Sequence, residues 1–343
     1  MTCGRGTIRI EVLEDGRSSG EMARNVRAGL LATPKDLSPW PKYFYDAEGS
    51  RLFEEITRLP EYYQTRTEAS IFRQRARQIV SRARWRELVE LGSGSASKTR
   101  TLLDAMFEAR APGEEVRLRY VPLDVSESAL KESGRRLIRE YPELEIHGFV
   151  GDFERSLEPL LNAHTKADDG ESSGGRLVVF LGGTIGNFTP ERRQAFLDEI
   201  RAGLRPGDHL LVGVDLVKDA RTLEAAYDDG AGVTERFNKN LLKVINERLG
   251  AGFDPDLFEH RAIYRTEKTR IEMWLRSRVE QEVYVAGADL SVRFEAGECM
   301  RTEISAKFTP ESVRRMFAEA NLQLLDLYTD ERELFGLAFG ARA

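Results

Sequence analysis

The strongest constraint on how this chain can fold lies between residues 87 and 216, where short apolar runs alternate with helical stretches. Glu87-Leu88-Val89-Glu90-Leu91 ends at Gly92, and the spacing predicts a helix over 98–109. The run at 118–123 ends at Asp124 ahead of a predicted helix over 126–140. The run at 146–150 ends at Gly151-Asp152, and that at 177–181 ends at Gly182-Gly183 ahead of a helix over 190–202. A fifth, at 210–214, ends at Asp215-Leu216. Strand alternating with helix specifies a parallel sheet with helices on both faces. Such sheets bind ligands outside the carboxyl ends of their strands. Here those ends carry Gly92, Asp124, Asp152 and Gly182, which are the first candidate site residues.

On either side the pattern differs. Residues 1–20 read as a polar, mobile lead-in, and 21–80 as mainly helical, with aromatic residues crowded between Lys42 and Arg66. After 216 the alternation stops. Residues 219–250 read as helical, and 260–306 as antiparallel strands. A helix after Thr309-Pro310 and two closing strands, 322–328 and 334–339, have the right form to complete the earlier sheet. The expectation is an α/β chain in two discontinuous domains. One is a sheet domain from 67–215 plus 308–343; the other is a substrate domain from 15–66 plus 216–307. A polar insert at 165–175 reads as a surface loop.

Charge and composition narrow the partners. The net charge is −6, with Lys and Arg mixed among Asp and Glu, so no basic stripe marks a nucleic-acid face. No apolar run reaches the roughly 18 residues that span a bilayer. Cys3 and Cys299 offer no disulfide framework. His147, His164, His209 and His260 show no metal-ligand spacing, so no metal is expected. These features predict a cytoplasmic monomer acting on a small molecule.

The segment Glu90-Leu91-Gly92-Ser93-Gly94-Ser95-Ala96-Ser97-Lys98-Thr99 follows a strand and opens a helix. Its glycines let the backbone turn sharply and approach a ligand. A P-loop requires Gly immediately before the Lys, and Ser97 stands there. A dinucleotide fingerprint requires a third Gly, and Ser97 fills that place too. Acidic Glu90 suits a cationic ligand, S-adenosylmethionine, whose ammonium and sulfonium are positive. Asp124, at the second strand end, is placed to accept ribose hydroxyls. Asp152 with the Phe153 amide, at the third, is placed to read an adenine edge. Singly, an Asp after a strand caps the next helix as readily. Together, in strand order, they favour an adenosyl ligand.

Four longer segments carry a resemblance: Leu59-Pro60-Glu61-Tyr62-Tyr63-Gln64-Thr65-Arg66-Thr67-Glu68, the Gly92 loop, Phe180-Leu181-Gly182-Gly183-Thr184-Ile185-Gly186-Asn187-Phe188-Thr189-Pro190, and Gly213-Val214-Asp215-Leu216-Val217-Lys218-Asp219. In this the chain resembles the histidine-specific methyltransferase family from about Val26 to Phe339. Members of that family trimethylate the α-amine of L-histidine to hercynine, the first step of ergothioneine biosynthesis. The resemblance implies a class I Rossmann-like methyltransferase sheet interrupted by a discontinuous α+β substrate domain. It implies S-adenosylmethionine as methyl donor, held by Gly92, Lys98, Asp124, Asp152, Phe153 and Gly182. It implies a histidine site at Tyr62, Asn187, Tyr227, Met273, Glu303 and Ser305, with Tyr45, Tyr62 and Asn187 nearest the chemistry. Gln64 stands where Pro is usual in the family, and Gly183 where Ser is common.

The chemistry suits these side chains. Displacement at a sulfonium methyl needs alignment above all. A trimethylammonium product is best tolerated by aromatic faces, here Tyr45, Phe53 and Tyr62. No strong base is evident, so a Tyr hydroxyl or a water is expected to relay the amine proton. Asn187 and Tyr227 can donate to a carboxylate, Glu303 can accept from one imidazole nitrogen, and Ser305 can pair with the other. Spacing alone leaves Met273 as plain core, Glu303 as a surface residue, Tyr62 as packing and Lys98 as an exposed helix start. Two other functions remain open: the same chemistry on tryptophan or another amino acid, and donor binding without turnover.

Overall fold

In a computed structural model of the chain, residues 6–13, 19–110, 118–162 and 175–343 are described. Cys3 and, apart from Gly175, the polar insert lie outside them. β1 (Thr7–Val12) precedes α1 (Ser19–Leu31), a short β2 (Lys35–Asp36), α2 (Ala47–Ile56) and α3 (Tyr63–Val80). The predicted alternation follows as β3 (Trp85–Leu91), α4 (Thr99–Glu108), β4 (Arg119–Asp124), α5 (Glu127–Glu140), β5 (Glu145–Val150), α6 (Phe153–Asn162), β6 (Gly175–Phe180), α7 (Pro190–Gly203) and β7 (His209–Asp215). Next come α8 (Ala220–Ala225) and α9 (Val233–Leu249), then β8 (Phe258–Arg265), β9 (Arg270–Ser277), β10 (Gln281–Val285), β11 (Leu290–Phe294) and β12 (Cys299–Ala306). α10 (Pro310–Glu319), β13 (Leu322–Thr329) and β14 (Phe335–Arg342) close the chain.

The main sheet has eight strands in the order β1-β5-β4-β3-β6-β7-β14-β13. Neighbours from β1 to β7 are parallel, and β14 runs antiparallel to both β7 and β13. The closing helix and strand pair therefore do complete the sheet. Its central strands are apolar almost throughout, as burial on both faces demands: Leu88, Val89, Val178, Val179, Phe180, Leu211 and Val212 are all buried. The polarity reversal at β14 and β13 places their hairpin on the free edge of β7.

One expectation fails at the amino end. The stretch read as a mobile lead-in contains β1, paired in register with β5 from Thr7↔Glu145 to Val12↔Val150. The physical reason is the open edge of β5, whose backbone groups need partners. The alternation Ile8, Ile10, Val12 is the signal that short polar flanks obscured.

The segment after β7 builds its own layer. β2, β12, β9 and β8 form a four-stranded sheet, and β10 pairs with β11. Buried residues of α1, α2 and α9 pack with these strands around Phe44, Phe237, Phe258, Leu275 and Met300. The segment enters and leaves at adjacent points: Leu216 bridges Phe308, the Val217 amide donates to the Phe308 carbonyl at 2.8 Å, and the Phe308 amide donates to the Asp215 carbonyl at 2.9 Å. At the opposite end of the main sheet Arg176 is buried with Asp208. Its Nε and Nη2 donate to Asp208 Oδ2 at 2.9 and 2.6 Å, and it also donates to the Leu161 and Gly203 carbonyls at 2.6 Å each. Among the described residues no helix is long and apolar enough to cross a membrane.

Candidate active site

At the carboxyl end of β3 the chain turns through Gly92 (φ +72°) and Gly94 (φ +49°), conformations that favour glycine. The loop is pinned from one side. The Gly92 and Ser93 amides donate to the Leu123 carbonyl at 2.8 and 3.2 Å, and the Gly94 amide donates to Asp124 Oδ2 at 2.8 Å. Asp124 Oδ1 also accepts from the Ser126 amide at 2.9 Å. A Cβ built on Gly94 meets nothing within 4 Å, so the other side of the loop is open space. This open turn, with a carboxylate at each of the next two strand ends, fits S-adenosylmethionine.

Other donor-site candidates are engaged. Asp152 Oδ2 accepts from Lys42 Nζ at 2.8 Å, and Lys42 also reaches Glu21 at 3.0 Å. Burial works against the Lys42 charge, but Asp152 holds its pKa above the usual lysine value. Phe153 stands edge-on to Phe180, Phe188 and Phe196. Lys98 pairs with Glu68, which is fully buried and accepts from the Gly182 amide at 2.9 Å. Glu90 does not face the loop's open side as an anion awaiting a cation. Its carboxyl accepts from Thr99 Oγ1 at 2.5 Å and from the Tyr120 hydroxyl, and burial pushes its pKa up to about 7.

Beside this loop lies a cavity lined by Tyr45, Tyr62, Gly182, Asn187, Tyr227, Met273, Glu303 and Ser305. Eight residues singled out along 260 positions of chain thus meet in one space. Its aromatic wall is edge-to-face: Tyr45 with Phe53 at 5.6 Å, Phe53 with Tyr62 at 6.2 Å, and Tyr62 with Tyr227 at 6.4 Å between ring centres. Gly92, Lys98, Asp124, Asp152 and Phe153, on the loop side, do not line this cavity. The link between the two sides is Gly182, whose φ of +77° begins the tight turn that carries Asn187.

Glu303 is 8% exposed and makes no hydrogen bond or ion pair among the described residues. Burial pushes its carboxyl up to about 7, with Lys307 opposing the shift. A buried acceptor without a partner is costly unless a ligand supplies the donor. Burial also raises the pKa of Tyr45 and Tyr62, so both stay protonated near neutral pH and can relay a proton only through the hydroxyl. Tyr227 donates to Ser305 Oγ at 2.9 Å, so its proton is already engaged and does not point at a substrate carboxylate.

A sequence model of the histidine-specific, S-adenosylmethionine-dependent methyltransferases matches residues 22–342. The chain belongs to this family. It is 50% identical over 321 residues to the histidine N-alpha-methyltransferase of Mycolicibacterium smegmatis, covering 94% of this chain and 95% of that one. The histidine N-alpha-methyltransferase of Mycobacterium tuberculosis is 48% identical over 329 residues, covering 95% and 97%. Ergothioneine biosynthesis protein 1 of Schizosaccharomyces pombe is 30% identical over 291 residues, covering 83% of this chain and 36% of its own length. The eight-stranded sheet is accordingly a class I methyltransferase sheet with one added edge strand, β1.

Three residues of this methyltransferase's site were not singled out from the sequence. Lys307 follows Glu303 and Ser305 at two-residue spacing, which puts all three on one face of β12 and its extension. Glu68 is a charge on the apolar face of α3, beside buried Gln64, Ile71 and Phe72. Asp215 lay inside a quoted motif but had no role. The legible signals were the two-residue stripe that Lys307 continues and, for Glu68, a charge on a helix face of buried residues.

The turn carrying Asn187 packs directly on β12 through Gly186. A Cβ there would lie 2.7 Å from the Ala306 carbonyl oxygen and 3.1 Å from its nitrogen. Gly186→Ala is expected to lower stability by about 1–3 kcal/mol, the usual range for overpacking. It should also weaken amino-acid binding more than donor binding, as denaturation and calorimetric titration of the two ligands can show.

Proposed function

We propose that the protein transfers methyl groups from S-adenosylmethionine to the α-amine of L-histidine, three times in succession, giving hercynine as the first step of ergothioneine biosynthesis. The observation that carries this reading is Glu303: a buried carboxyl without a partner, two residues from the Ser305 hydroxyl, inside an aromatic-walled cavity beside the Gly92 loop. An imidazole offers the two nitrogens that such a pair can read; an indole offers one. Relatives of about half-identical sequence bear the name histidine N-alpha-methyltransferase, which supports the choice of substrate.

When bound, the donor supplies an electrophilic methyl on a cationic sulfur. The chain's own residues do the rest. Gly92, Lys98, Asp124, Asp152, Phe153 and Gly182 hold the donor side. Asn187, whose side-chain amide has no protein partner among the described residues, binds the substrate's α-carboxylate or amine. Tyr45 and Tyr62 exclude water and face the growing cationic charge, while a hydroxyl passes the departing proton outward. In this reading 67–215 plus 308–343 form the donor domain, and 15–66 plus 216–307 supply the amino-acid pocket.

Incubation with S-adenosylmethionine and each standard amino acid, followed by mass measurement, tests the proposal. Three methyl additions to histidine alone are expected. No methylated product, or a preference for tryptophan, overturns it.

A further inference from the structure

Behind the amino-acid pocket sits a buried cation. Lys307 donates its three ammonium hydrogens to Asp215 Oδ2 at 2.8 Å, the Tyr227 hydroxyl at 2.9 Å and Ser305 Oγ at 2.8 Å. Asp215 is held in turn by Lys218 at 2.7 Å and by the Tyr63 hydroxyl at 2.8 and 2.9 Å. Gln64 Nε2 lies 3.3 Å from both Asp215 Oδ2 and the Tyr227 hydroxyl. The Asp215 anion turns the amide so that its nitrogen faces these oxygens, because an amide oxygen there would meet a carboxylate.

These contacts set the direction of every hydrogen bond downstream. An ammonium and an amide nitrogen only donate. The Tyr227 oxygen therefore accepts from Lys307 and from Gln64, which fills its lone pairs, and its own proton goes to Ser305 at 2.9 Å. Ser305 Oγ then accepts from Lys307 and Tyr227. Its lone pairs are filled, and its one proton is left for the cavity. Next to it Glu303, once ionised, only accepts.

We infer that Lys307, anchored by Asp215 and aided by Gln64, is a positioning residue that fixes this polarity, so that the pocket presents one acceptor and one donor and takes a neutral imidazole in a single tautomer. The ring N–H faces Glu303, and its bare nitrogen faces Ser305. An imidazolium would turn a second N–H against the Ser305 proton. The inference rests on the histidine reading above.

The test is calorimetric titration of the full chain, in the presence of the demethylated donor, with two ligands: L-histidine and β-(1,2,3-triazol-4-yl)-L-alanine. The triazole has nitrogens in the same two ring positions and stays neutral at mildly acidic pH. Glu303, Asp215, Lys218, Lys307 and the hydroxyls of Tyr45, Tyr62, Tyr63 and Tyr227 face the pocket or Lys307; they act alike on the triazole and on neutral histidine, whereas an imidazolium is attracted by ionised Glu303 and opposed by Lys307 and the Ser305 proton. The ratio of the two affinities isolates the ligand ring. In the wild type, histidine is expected to lose about tenfold against the triazole for each pH unit below its own ring pKa of about 6.5. In Lys307→Met that slope should flatten, because Ser305 is then free to accept. Gln64→Leu should flatten it too, and serves if Lys307→Met does not fold. A wild-type ratio that ignores pH, or variants that keep the wild-type slope while both affinities fall together, overturns the inference. Absence of histidine binding by the wild type at every pH overturns instead the reading of the substrate.

Discussion

Glu303→Ala is expected to weaken L-histidine binding by about 10- to 100-fold, the range for a hydrogen bond to a charged group, while leaving affinity for the donor nearly unchanged. The residues proposed to hold the donor follow β3, β4 and β5, whereas Glu303 stands on β12 in a different sheet, so the two affinities are expected to have separate structural origins. Titration calorimetry with each ligand checks this, and equal losses refute the assigned role. The same carboxyl also makes a stability prediction. Burial raises its folded-state pKa from 4.5 to about 7. Its protonated form is therefore favoured by the fold, and that contribution is intact below pH 4.5 and lost as pH rises through about 7. Without ligand, Glu303→Gln should match the wild type near pH 4.5 and exceed it at pH 8 by about 3 kcal/mol. Urea denaturation at the two pH values measures the difference. A wild type as stable as the variant at pH 8 would show that the carboxylate has found another partner.

Arg176→Met is expected to cost about 3–5 kcal/mol of stability, as breaking one side of a buried ion pair does. It strands Asp208, which is 4% exposed, and removes the donors to the Leu161 and Gly203 carbonyls. Arg176 is the second residue of β6, and the turn that carries Asn187 begins beyond its far end at Gly182. The folded fraction should therefore keep its kcat/KM. Denaturant midpoints alongside steady-state rates separate the two effects. Unchanged stability would mean that water replaces the guanidinium without loss.

What could be read from residues alone follows the reach of each signal. The alternation of apolar runs with helical stretches located β3 to β7 because both faces of a central parallel strand are buried, which leaves little room for other residue types. An edge strand escapes that rule. β1 exposes much of its surface, so Ile8 and Val12 looked like lead-in rather than sheet. At the loop, the glycines were legible because only their backbone freedom permits the turn. The role of Glu90 was not: its side chain points to Thr99 and Tyr120, and no spacing rule reveals which face a strand end turns inward. Glu303, Ser305, Asn187 and Tyr227 came from the family resemblance, since they lie on three separate elements that only tertiary structure joins. Lys307 was missed although it continues their stripe, because a lysine after a strand is usually solvated.

The insertion between β7 and α10 spans roughly 90 residues, yet its two ends meet at the Leu216–Phe308 bridge. Loop-closure entropy grows only with the logarithm of length, so closing this excursion costs about 1.3 kcal/mol more than closing one of 20 residues. The donor sheet is thus almost indifferent to how much chain hangs from that point. Over evolutionary time such an attachment favours exchange: the inserted portion, which in the proposed reading chooses the methyl acceptor, can be lengthened, shortened or rewritten while the main sheet stays as it is. The clasp itself is the exception. Asp215 lies on one side of it and Lys307 on the other, so a replacement excursion inherits an ion pair at its root and must supply the lysine again.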